Sequence, residues 1–91
     1  LELYSSNNSS MYYMIGLAYK EMMNFDVAMA WFKKTIQSEP TFWASYSEIG
    51  DIYRKKGEYD KAIMWYKEGK KVGPNAEILY INLYLFILIY G

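Results

Sequence analysis

The sequence contains no cysteine and no histidine. A disulfide framework, thiolate and imidazole nucleophiles, the usual general base and the common zinc ligands are therefore excluded. Carboxylates remain as metal ligands, but no Asp-rich loop of the calcium-binding kind occurs. The absence of cysteine leaves the redox compartment open. Net charge is also missing: the formal value is +0, so no bulk field steers the chain toward nucleic acid or an anionic membrane. Nucleic acid is not an expected partner. The charge is uneven, with seven Lys/Arg and three Asp/Glu between Arg54 and Lys71 and three and seven elsewhere. Mixed signs on a helix surface are read as a solvated face.

Long hydrophobic runs are scarce. Leu1–Ser10 lacks an apolar core, so no signal peptide is expected there. The run from Ile78 to Tyr90 is thirteen residues long and contains Asn82. A bilayer span needs about 20 residues, so a buried helix is expected and a membrane span is not. The sequence names no compartment; the cytoplasm is the default expectation.

Aromatic residues are plentiful, at 20% of the chain with eleven tyrosines. A long disordered segment is not expected outside the polar stretch Ser5–Ser10. A single compact core in 91 residues is marginal. A stack of repeats solves that problem, because each unit buries its apolar face against the next.

A repeat is present. An offset of 34 residues links Tyr12 to Tyr46, Ile15 to Ile49, Gly16 to Gly50, Tyr19 to Tyr53 and Asp26 to Asp60. It also links Ala28 to Ala62, Trp31 to Trp65, Lys33 to Lys67 and Pro40 to Pro74. Phe25/Tyr59 and Phe32/Tyr66 are aromatic exchanges at the same step. Inside each unit the spacing is helical. Tyr12, Ile15, Gly16 and Tyr19 form one stripe, and Ala28, Phe32 and Thr35 a second. The small Gly and Ala let two antiparallel helices approach while the aromatics fill the flanks. Trp31 and Trp65 are expected between neighbouring hairpins. Pro40 and Pro74 end the second helix of each unit.

These patterns predict five helices, near 10–22, 25–38, 44–56, 59–72 and 76–90. Gly57 suits a left-handed residue after the third, and Gly91 holds the same register after the fifth. Met23 stands in that place after the first, so either it costs about 1 kcal/mol or the turn is built differently.

The set Tyr12, Ile15-Gly16, Tyr19, Phe25, Ala28, Phe32, Pro40 resembles the tetratricopeptide repeat. So does its recurrence as Tyr46, Ile49-Gly50, Tyr53, Tyr59, Ala62, Tyr66, Pro74. The resemblance implies an all-α fold, an α-solenoid of antiparallel helix hairpins. The expected organisation is a single domain over 1–91, with repeat 1 at 9–42 and repeat 2 at 43–76. Residues 77–91 are the first helix of a partial third repeat or a terminal helix, and 1–8 are the end of a preceding unit or disordered. Leu1–Tyr4 fit the end of a preceding second helix, and the expectation is a fragment of a longer array.

The resemblance also implies a role in binding a protein or peptide, on a concave face lined by the first helix of each hairpin. By helical phase that face holds Tyr13, Met14, Leu17, Lys20 and Glu21, then Ala44, Ser47, Glu48, Asp51, Arg54 and Lys55. The family's carboxylate clamp for chaperone tails would fall on Tyr13, Leu17, Glu48, Ile78 and Asn82, and none of these matches it. No catalytic, cofactor or metal site is expected. Glu48 and Asp51 lie at i, i+3 without a third partner, and an enzyme would need a convergent acid–base pair.

The fifth helix is apolar all round. Ile78, Leu79, Ile81 and Leu85 cannot all face the second hairpin along with Tyr80, Leu83 and Ile87, and Tyr84 stands where Gly16 and Gly50 stand. The alternative function is therefore self-association through residues 77–90, with Ile78, Leu79, Ile81, Tyr84, Leu85 and Leu88 as the contact set.

Overall fold

The structure, a computed structural model, describes residues 7–73 and 76–90, leaving outside the description the side chains of residues 76–80, 82 and 83. The expectations placed on Leu1–Tyr4, Pro74, Ile78, Leu79, Tyr80, Asn82, Leu83 and Gly91 fall outside it. Five helices follow one another: α1 Ser9–Glu21, α2 Phe25–Ser38, α3 Trp43–Lys55, α4 Tyr59–Val72 and α5 Ala76–Tyr90. No strand occurs among the described residues. Helices adjacent in sequence pack on each other, α1 on α2, α2 on α3, α3 on α4 and α4 on α5. The fold is an all-α solenoid of helical hairpins.

The two hairpin turns are built alike. After α1, the Met23 N–H donates to the Lys20 carbonyl and the Asn24 N–H to the Tyr19 carbonyl. After α3, the Gly57 N–H donates to Arg54 and the Glu58 N–H to Tyr53. This pair of bonds closes a helix over one left-handed residue. Gly57 takes φ 79° and Met23 takes φ 61°, so the methionine adopts the conformation glycine would choose. A left-handed L-residue costs roughly 1–2 kcal/mol, and glycine's extra unfolded-state entropy returns about 0.5–1 kcal/mol of that. Met23→Gly is therefore expected to stabilise the chain by about 0.5–1 kcal/mol, read as a higher urea midpoint at unchanged slope. Met23 is exposed and loses no packing on replacement.

The first core lies between the hairpins. Ala28, Met29 and Phe32 of α2 meet Ile49 and Ile52 of α3, with Tyr13, Leu17 and Trp65 packed around them. A second core joins Ala62 and Tyr66 of α4 to Phe86 of α5. The glycines of the two first helices each face an aromatic ring of the partner helix: Gly16 faces Phe32 and Gly50 faces Tyr66. The close approach thus seats a ring on glycine, a more specific arrangement than two small residues at equal height. Trp31 packs on Tyr12 of its own hairpin, ring centres 5.8 Å apart. Trp65 pairs with Tyr46 at 6.0 Å and has Lys33 of the first hairpin over its ring. The Tyr46 hydroxyl donates to the Pro40 carbonyl at 2.8 Å, tying α3 to the link before it.

On α5 the buried described side chain is Phe86, at 4% exposure, while Ile87 is largely exposed. Phe86 stands 34 residues after the fully buried Ile52, so it inherits that inward register. Tyr59, Phe86 and Tyr90 form a ring cluster with centres 5.0 Å apart. Ile81, Tyr84, Leu85 and Leu88 are all exposed. No helix among the described residues is long and apolar enough to cross a membrane.

Candidate functional site

The face formed by α1 and α3 carries the residues singled out by helical phase. Because α1 and α3 each start a hairpin, the 34-residue step puts Tyr13, Met14, Leu17 and Lys20 beside Ser47, Glu48, Asp51 and Arg54. Two polar clusters hold this face together.

The first is centred on Glu48. Lys20 Nζ lies 2.7 Å from one carboxylate oxygen, and the Tyr13 hydroxyl donates to the other at 3.3 Å. Both members of the ion pair are mostly covered, with side chains 23% and 17% exposed. The Tyr13 ring packs between Phe32 and Phe42, with centres at 5.6 and 5.0 Å. Burial, and then the Glu48 charge, push the Tyr13 phenol well above its usual range. It remains a neutral donor.

The second cluster is centred on Asp51. It accepts a hydrogen bond from the Tyr66 hydroxyl, and Arg54 Nη2 lies 3.5 Å from the same oxygen. Burial raises the Asp51 carboxyl above the ordinary range, against the lowering effects of Tyr66 and then Arg54. The Tyr66 phenol is pushed up by burial first and by its bond to Asp51 second. Arg54 Nε is buried and has no hydrogen-bond partner among the described residues.

The two hairpins differ here by a coupled exchange. Phe32 and Leu17 in the first become Tyr66 and Asp51 in the second, each 34 residues on. An apolar pair has been replaced by a bonded polar pair at the same place. The Phe32/Tyr66 exchange is visible in the sequence, but its partner is visible only once α1 and α2 are seen in contact.

The remaining predicted residues divide. Met14 stands out from the face at 67% exposure, and Ser47 is half-buried. Leu17 packs on the first core. Lys55 does not join either cluster: its ammonium lies 5.4 Å from the Phe25 ring centre, at the hairpin-turn end. A further polar cluster lies outside the predicted face. Ser9 Oγ and Asn7 Nδ2 both donate to Glu39, at 2.6 and 2.8 Å, and hold that carboxyl below its usual range, Ser9 most strongly. It ties the start of α1 to the end of α2.

A cleft of about 240 Å³ opens beside the second cluster, between α3, α4 and α5. Among the described residues no group of three Asp or Glu converges as a metal site. This face presents paired carboxylates, neutral phenol donors, one exposed thioether and one arginine.

Residues 9–42 match a family model described as a tetratricopeptide repeat, and residues 31–64 match a second model with the same description. The first window is the α1–α2 hairpin with its link, and the second runs from within α2 to within α4. No curated protein matches the chain.

Proposed function

The chain belongs to the tetratricopeptide repeat family, and from that premise we propose that it is a non-catalytic scaffold holding a peptide or partner protein on the face of α1 and α3. Repeats of this family generally serve as protein-interaction modules. One observation carries the choice of face: Met14 stands exposed beside Tyr13, while the neighbouring carboxylates are already matched by Lys20, Tyr66 and Arg54. A flexible, exposed thioether offers an adaptable apolar anchor site. A cationic ligand would have to displace Lys20 from Glu48, so the anchor is apolar. Peptides selected on the intact chain from a random display library should bind the Met14→Glu variant at least about 10-fold more weakly, a loss of about 1.4 kcal/mol. They should bind Lys67→Glu, on the exposed side of α4, as before. Affinity lost in Lys67→Glu and kept in Met14→Glu would place the site on the opposite face.

A second reading is self-association through α5. The exposed row Ile81, Tyr84, Leu85 and Leu88 favours it, and large contiguous apolar patches mark interaction surfaces.

A further inference from the structure

We infer that the cleft between α3, α4 and α5 takes a carboxylate borne on an apolar segment of the partner, with Arg54 as the group that recognises it. The inference rests on the scaffold reading and adds a ligand chemistry at the other end of the same face. Lys20 and Arg54 are equivalent residues, 34 apart. Lys20 is bridged at 2.7 Å to Glu48 on the next first-helix. One repeat on from Glu48 the chain has Asn82, so the position that supplied the carboxylate to Lys20 supplies none to Arg54. Asp51 does not replace it: that carboxylate already accepts from Tyr66 and reaches Arg54 only at 3.5 Å, through one terminal nitrogen. Among the described residues the buried Nε has no partner, and the side chain as a whole is 39% exposed and borders the cleft. Leu85, Ile89 and Tyr90 supply an apolar wall. A guanidinium beside such a wall holds a carboxylate through two parallel N–H donors, while the wall packs the apolar part of the segment. Asp51 stands close by, so the site suits one carboxylate and repels a run of them.

The test uses two fluorescein-labelled octapeptides, Ser-Gly-Leu-Phe-Glu-Leu-Gly-Ser and its counterpart with Gln for Glu, titrated into the intact chain by anisotropy. The Glu peptide should bind about 10-fold more tightly, the range of one charge-assisted pair. Arg54→Gln should erase that preference, and Leu85→Glu should erase it by placing a carboxylate in the cleft. Lys67→Gln, which removes the same charge elsewhere, should keep it. Equal affinity of the two peptides for the native chain, no binding of either, or a preference that survives Arg54→Gln would overturn the inference. Display-selected peptides that still respond to Met14→Glu would leave the scaffold reading standing in each of those cases.

Discussion

Gly50→Ala is expected to lower the stability of the chain by about 1–2 kcal/mol, although alanine is the better helix former by about 1 kcal/mol. The reason is where the new methyl would go. A Cβ on Gly50 would lie 2.6 Å from Tyr66 Cε1 and 2.7 Å from Cδ1. Something must move, and the ring is badly placed to do so. Tyr66 is 1% exposed, and its hydroxyl is held by Asp51 across the helix pair. Moving the ring leaves a half-buried carboxylate short of a donor, and widening α3 from α4 opens the second core. Overpacking of this kind costs about 1–3 kcal/mol, and the tether puts Gly50 toward the upper end. Gly16 presents the same 2.6 Å overlap with Phe32, but Phe32 has no hydroxyl to anchor it. Gly16→Ala should therefore cost less than Gly50→Ala. Thermal unfolding of both variants provides the measurement, with a Tm decrease of about 4–8 °C per kcal/mol in a chain of this size. Stability rising in either variant by alanine's propensity alone would show that the ring seat is loose.

That ring seat illustrates how far the sequence could be read. The 34-residue step gave the helices directly, since it repeats both the apolar stripes and their stops. The structure begins α1 and α3 one residue earlier than the spacing suggested, at Ser9 and Trp43. Helical phase also placed Tyr13, Lys20, Glu48, Asp51 and Arg54 on neighbouring first helices. It did not say which of them bond. Lys20 and Glu48 are 28 residues apart and meet only through the stagger of α1 against α3. A period fixes which way a side chain points around its own helix and carries no information on that stagger. The same gap explains Phe86. The sequence reading turns Tyr80, Leu83 and Ile87 toward the second hairpin, but the structure buries Phe86, the equivalent of Ile52, and leaves Ile87, the equivalent of the half-buried Tyr53, exposed. The acidic pair Glu48 and Asp51 reads as unpartnered in the sequence, where Tyr13 belongs to the concave face and Tyr66 to the repeat's aromatic set. A tyrosine serves both roles, with its ring in a core and its hydroxyl on a carboxylate.

The second large effect concerns mass in solution. If α5 is an association surface, the native chain gains mass with concentration, and Tyr84→Lys combined with Leu88→Lys is a monomer throughout. Ile81, Tyr84, Leu85 and Leu88 fall at i, i+3, i+4 and i+7, one continuous row along the helix. They are 57%, 63%, 49% and 64% exposed. Full burial of a large apolar side chain is worth about 1.5–3 kcal/mol, and two copies crossing on a two-fold axis bury the row twice. Association costs on the order of 4–15 kcal/mol in lost freedom, and burying the row twice supplies a gain of the same order as that cost. The two lysines oppose that gain twice over, since each would face its symmetry mate across an apolar seam. They should leave the protomer intact, because α5 is fastened from its other side by the Tyr59–Phe86–Tyr90 rings and by the core that Phe86 shares with Ala62 and Tyr66. Light scattering after size exclusion reads the mass, and circular dichroism checks that helicity is kept. A native chain that stays monomeric from micromolar to millimolar concentration would sink this reading. So would a double-lysine variant that still associates, since the contact would then lie on a surface other than this row.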